Sequence, residues 1–156
     1  MRLTISAVGR LRPGPELSLV DNYLKRAEKA GRALALGPFR VHEVDERKAQ
    51  DKASQSARLI ESVPSGATSV ALDERGKLVD SIEFSQLIAQ TRDRGCPEMV
   101  FLIGGSDGLE REAREAASRR LSFGPMVWPH MLARVMLAEQ LYRAVTILSG
   151  SPYHRT

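Results

Sequence analysis

The chain has 156 residues, 42% of them hydrophobic and 27% charged, with a formal net charge of +4. That length suits one compact domain, 1–156, with enough apolar material for a core, and no apolar run approaches the roughly 20 residues that span a bilayer. Cys96 is the only cysteine, so an intrachain disulfide and a thiolate metal cluster are both excluded, and a cytoplasmic setting is expected. The start Met1-Arg2-Leu3-Thr4-Ile5 lacks the long apolar stretch of a signal peptide.

Arg2 to Val8 alternates Leu3, Ile5 and Ala7 on one side and predicts a first strand. Pro13, Gly14 and Pro15 punctuate the loop that follows. From Glu16 to Arg32, Leu17, Val20, Leu24 and Ala27 recur at helical spacing, leaving Lys25, Arg26 and Lys29 on a basic face. Residues 1–32 hold seven basic and three acidic side chains, so this segment carries the net excess and suits a polyanion such as RNA; a solvated helix face explains the same charges. A second strand is expected over Phe39–Val44, with His42 in a merely structural place. A polar helix follows over Lys48–Val63.

Thr68–Leu72 predicts a short strand, followed by a turn at Asp73-Glu74-Arg75-Gly76. Asp80 with Glu83 three residues on forms a capping box for a helix to Arg94, closed by Gly95 and Pro97. The run Met99-Val100-Phe101-Leu102-Ile103 suits a strand buried on both faces. Gly104-Gly105-Ser106-Asp107-Gly108 then turns into a charged helix over Leu109–Ser118, and Leu121-Ser122-Phe123 suits a last short strand. Alternating strands and helices predict an α/β fold with a mostly parallel sheet flanked by helices.

The glycine turn lies where open α/β sheets bind ligands, at the carboxyl end of a strand. It matches neither the dinucleotide fingerprint nor a phosphate-binding loop with its lysine. A tight turn needing positive φ and a ligand site explain it equally well. The final helix, Met131–Ile147, is apolar nearly all round, with Glu139, Gln140 and Arg143 in one polar sector. Such a helix is expected to be buried, in the core or against a second subunit. Glu139 and Arg143 stand at i, i+4 in the favourable order. Arg134 lies opposite Arg143 amid apolar neighbours and requires a partner, structural or functional: a carboxylate, a carbonyl, a phosphate or a second chain. The close, Pro152-Tyr153-His154-Arg155, gathers a base-stacking ring, an imidazole and a guanidinium behind a proline. A chance cluster at a fraying terminus accounts for it too.

Taken together, Phe101–Gly108, Pro129-His130, Arg134-Val135, Ala138–Ala144 and Pro152-Tyr153-His154-Arg155 resemble the bacterial ribosomal large-subunit pseudouridine N3-methyltransferases, within the SPOUT class. The resemblance runs the length of the chain; it is specific over 99–155 and in the start Leu3-Thr4-Ile5-Ser6-Ala7-Val8-Gly9, and weak between about 33 and 65. It implies a deep trefoil knot, a rare exception to unknotted chains. It implies S-adenosyl-L-methionine as cofactor, held by Leu72, Gly104, Gly105, Phe123, Gly124, Pro125, Met126, Val127 and Trp128. It implies a homodimer packed through the knot helices and 23S rRNA of the assembled ribosome as substrate, with neither metal nor membrane. Tyr153, His154 and Arg155 are then expected at the reacting base, with Arg143 and Glu139 behind them, and His130 shapes the cofactor loop or bonds backbone. A ribosome-binding factor without enzymatic activity, or a different α/β enzyme taking a nucleotide at the glycine turn, is the competing reading.

Overall fold

In a computed structural model, residues 1–154 are described, His154 by its backbone alone. Five strands, β1 (Arg2–Val8), β2 (Phe39–Val44), β3 (Thr68–Leu78), β4 (Glu98–Ile103) and β5 (Arg119–Ser122), form one sheet in the order β2-β1-β4-β3-β5. Every pairing between them is parallel, as the alternation of strands and helices predicts. Five helices connect them: α1 (Pro15–Gly31), α2 (Lys52–Glu61), α3 (Ser81–Asp93), α4 (Arg111–Ala116) and α5 (His130–Leu148).

The side-chain period of two sorts the core. Leu3, Ile5 and Ala7 of β1 with Met99, Phe101 and Ile103 of β4 face α1, α3 and α5. Val8, Val100 and Leu102 face the opposite side, where Leu59 of α2 and Ala113 of α4 cover them. With helices on both faces, central strand β4 is buried at every position, which explains its unbroken apolar run.

Several boundaries differ from the sequence reading. α2 starts at Lys52 rather than Lys48, because Asp51 caps it, accepting from the Ser54 amide at 2.7 Å, while Lys48 closes a turn onto the Asp45 carbonyl. α4 is cut to six residues: Leu109 leaves it to enter the second core, and the Glu110 amide donates to Ser56 Oγ at 2.9 Å. β5 starts at Arg119, since its register opposite Val70 begins there. The capping box of α3 is present as expected, with the Glu83 amide 2.7 Å from Asp80 Oδ1.

The main correction concerns Asp73–Gly76. This segment does not end the strand; β3 bulges out and returns, so Leu72 and Lys77 both register with Leu121. Gly76 makes the return possible: a Cβ there would lie 2.5 Å from the Leu121 carbonyl carbon. The bulge therefore stands over the carboxyl end of the sheet, beside the glycine turn.

Candidate active site

The glycine turn closes on itself. The Gly108 amide donates to the Gly105 carbonyl at 3.0 Å, and Gly108 takes φ +75°. A Cβ on Gly104 would lie 2.5 Å from Gly108 backbone atoms, and one on Gly105 would lie 2.9 Å from Gln55 Oε1. Gly104 is thus required by the turn's own packing, while a side chain on Gly105 would meet only the movable end of Gln55 and Val8 Cγ1 at 3.2 Å. Gly104 is buried beneath the turn; Gly105 reaches the cleft above it.

That cleft measures about 690 Å³, in the size range of small-molecule sites. The β3 bulge, the glycine turn and the loop from Leu121 to His130 enclose it. Of the nine residues expected at the cofactor, Leu72, Gly105, Phe123, Gly124, Met126, Val127 and Trp128 line it, while Gly104 and Pro125 do not. His130 also lines it, at the first position of α5. Met126, Val127 and Trp128 are 68%, 85% and 40% exposed. Three large apolar side chains in one exposed loop form the kind of patch that marks a ligand or partner surface.

A second cleft of about 590 Å³ lies across Phe123 and Gly124, sharing Leu72, Leu121 and Ser122 with the first. Tyr23, Phe84, Val135 and Met136 make it apolar, and Glu139 and Gln140 bring polar groups to it. Glu139 is the hub of the polar sector of α5. Arg143 donates to its Oε1 from Nη2 at 2.7 Å and from Nε at 3.0 Å. Gln140 donates to its Oε2 at 2.8 Å, and the Tyr153 hydroxyl reaches Oε1 at 3.2 Å. This is a partly buried network rather than a lone surface ion pair, and the carboxylate holds the Arg143 guanidinium above its ordinary value.

The network extends to α1. Arg26 donates to the Tyr142 hydroxyl at 3.0 Å, and its guanidinium lies 4.2 Å from the Tyr142 ring centroid and 5.2 Å from that of Tyr153. Tyr142 and Tyr153 pack at 4.5 Å. The tail segment Pro152–His154 is therefore a 3-10 turn docked on its own α5, and the structure brings Glu139, Arg143 and Tyr153 together. Burial first, then the Glu139 carboxylate and Tyr23, push the Tyr153 phenol up to about 12. At neutral pH it is a hydrogen-bond donor. The side chain of His154, and Arg155 entirely, lie outside the described residues.

Arg134 resolves as a structural residue. It is fully buried, 2.8 Å from Glu43 Oε1, and donates to the carbonyls of Val8 at 3.1 Å and Gly9 at 2.9 Å. Burial lowers its pKa, opposed by Glu43. Its partner is thus an acid of its own chain, not one from a neighbouring subunit. His42 is exposed on edge strand β2. α5 is less buried than its wheel predicts: Met131 and Leu132 are exposed, on the same end as the apolar loop.

Two site features escaped the sequence reading. Asp73 and Arg114 pair at 3.4 Å with both side chains largely buried at the edge of the first cleft; a turn and a charged helix gave no sign that they meet. Arg26 looked like one cation on a solvated face, and its aromatic partners lie more than a hundred residues away.

A parallel sheet with a glycine-turn cleft at its carboxyl end, beside a small apolar loop, is the ground on which the comparisons with known proteins stand. The family model described as predicted SPOUT methyltransferase matches residues 1–154, and the chain belongs to that family of methyltransferases. Within it, the chain is 56% identical to a protein of Dinoroseobacter shibae named ribosomal RNA large subunit methyltransferase H, over 155 residues and 99% of each chain. Proteins of the same name from Ruegeria pomeroyi and Paracoccus denitrificans are 54% and 52% identical, again over 99% of each chain. Among the described residues no helix is long and apolar enough to cross a membrane, and no group of three or more His, Cys, Asp or Glu could hold a metal.

Proposed function

We propose that this chain, acting as a single domain over 1–156, methylates N3 of a pseudouridine in 23S rRNA of the assembled ribosome, with S-adenosyl-L-methionine as donor. Relatives above 50% identity that are named ribosomal RNA large subunit methyltransferase H support the RNA substrate. The observation that carries the site is the placement of the apolar loop 123–128 between a glycine-turn cleft and the Glu139 network. Leu72, Phe123, Met126 and Val127 offer apolar walls for a purine.

Bound there, S-adenosyl-L-methionine supplies a methyl on a sulfonium, already a good leaving group. The residues of this chain then act mainly by positioning. The target imide would give up its N3 proton to solvent, and the N3 electron pair would bond the methyl carbon as the carbon–sulfur bond breaks, its electrons leaving with sulfur as a neutral thioether. Tyr153, protonated at neutral pH, donates rather than accepts, so its part is to hold the Glu139–Arg143 pair and the tail in place. His154 and Arg155 follow directly and would meet the base and its phosphate. The exposed side chains of Met126, Val127, Trp128, Met131 and Leu132 support a homodimer in which the tail of one protomer completes the site of its partner. The family's trefoil knot would tuck the 119–128 segment beside the β3 bulge.

Deleting Tyr153–Thr156 tests the reading. Calorimetry should show S-adenosyl-L-methionine bound with near-normal affinity, while methylation of ribosomes lacking the modification falls to background. A truncated protein that still methylates at the normal rate removes the tail from the chemistry. A full-length protein that binds ribosomes but no S-adenosyl-L-methionine favours a binding factor.

A further inference from the structure

A third hollow, of about 670 Å³, is lined by the returning arm of β3, by α3, by α4 and by β5. Arg75, Lys77, Arg114, Arg119 and Arg120 line it, against two acids, Glu83 and Glu115. Three of the five cations have acid partners: Arg75 meets Glu74 at 3.9 Å, Lys77 meets Glu83 at 3.6 Å, and Arg114 meets Asp73 at 3.4 Å. Glu115 pairs with Arg111 outside the hollow at 3.3 Å. Arg119 and Arg120 are exposed and have no ion-pair partner among the described residues.

Among the described residues β5 pairs with β3 alone, which makes it an edge strand of the sheet. Arginines on an edge strand also deter edge-to-edge association. That does not explain why the two without acid partners border a hollow to which β3 and α4 bring three further cations. Arg75, Arg114 and Leu121 line both this hollow and the glycine-turn cleft, so the two are neighbours. Guanidinium groups without carboxylate partners fit phosphate oxygens bidentately.

We infer that this trough is a docking track for the RNA sugar-phosphate backbone, with Arg119 and Arg120 each holding a phosphate next to the nucleotide that enters the cleft. The inference rests on the rRNA methyltransferase reading and adds where the substrate strand lies. It differs from the basic N-terminal segment, whose Arg26 is engaged by tyrosines instead.

The test is sedimentation binding of the full-length protein to ribosomes across a salt series, alongside methylation kinetics. Replacing Arg119→Gln together with Arg120→Gln should lower the slope of log K against log salt by about 1.5, two phosphates at roughly 0.7–0.9 each. KM for ribosomes should rise about tenfold, while kcat and calorimetric S-adenosyl-L-methionine affinity stay unchanged. The pair Arg119→Lys with Arg120→Lys should recover most of the salt slope. An unchanged slope and KM in the folded glutamine variant overturns the proposal. So does a lysine pair that behaves like the glutamine pair, since the arginines would then act through packing. If the double variant fails to fold, each single substitution carries the test, with a slope loss near 0.8. Ultraviolet crosslinking on ribosomes should join residues 119–122 to RNA; joining them to a ribosomal protein would assign the edge to strand addition by that protein. A wild-type protein that binds ribosomes with this slope yet transfers no methyl would sink the methyltransferase reading and leave the trough standing.

Discussion

Replacing Arg134→Met should destabilise the protein by about 3–4 kcal/mol without touching the chemistry. Arg134 is buried completely and serves three acceptors in one fork: Glu43 and the carbonyls of Val8 and Gly9. Methionine fills much of the volume but satisfies none of them. Two carbonyls left without donors cost about 1–3 kcal/mol each, and a broken buried ion pair about 3–5 in total. The Glu43 side chain retains 28% exposure, so water recovers part of the pair's share and the lower end applies. Glu43 also accepts from the Leu11 amide at 3.0 Å, so the loop leaving β1 loosens with it. At a urea slope of about 2 kcal/mol per molar, the midpoint should fall by roughly 1.5–2 M. Urea unfolding at one fixed protein concentration measures it, because subunit association would shift the midpoint with concentration. A midpoint that moves less than about 0.5 M, with methylation nevertheless abolished, would refute the reasoning and return Arg134 to the active site.

Gly104→Ala should cost at least about 1–3 kcal/mol by overpacking, since the new methyl would sit 2.5 Å from Gly108; thermal melting should report it even without ligand. Tyr153 should titrate near 12 in the difference absorbance between wild type and Tyr153→Phe, and Glu139→Gln should lower that midpoint only in part, because burial is the larger cause of the rise. The sign follows from linkage: below about pH 10 the phenol is protonated folded and unfolded alike, and between about 10 and 12 only the unfolded form ionises. The tail's docking should therefore weaken as pH rises through that window, and a midpoint at 10 in wild type would mean that Tyr153 does not rest on Glu139.

The regular elements were legible because their signals are local. The run Met99–Ile103 announces a strand covered on both sides, and Asp80 with Glu83 announces a helix start three residues wide. The bulge of β3 was not legible, because Asp73-Glu74-Arg75-Gly76 has the composition of a turn; only the approach of Gly76 to Leu121 shows that the strand resumes. β5 was half hidden, since Arg119 and Arg120 sit on an open edge where side chains need not be apolar. At the site, the glycine turn was visible and its reason was not. The missing side chain of Gly104 serves the Gly108 contact, which no spacing rule reveals. Arg134 plainly needed a partner, but Glu43 lies 91 positions away and nothing local singles it out.

The position of β4 bears on how the molecule comes into being. β1, made first, takes its place in the sheet's interior only when β4 arrives: Arg2 and Glu98, which meet at 2.7 Å, are 96 positions apart. Until then β1 has only edge strand β2 beside it, and the face it turns to α1, α3 and α5 is only part covered. α5, which seals that same face, comes later still. A nascent chain of this protein should thus spend most of its synthesis with a half-paired, half-covered strand, gain its centre abruptly near residue 103, and depend on a chaperone more than its small size suggests.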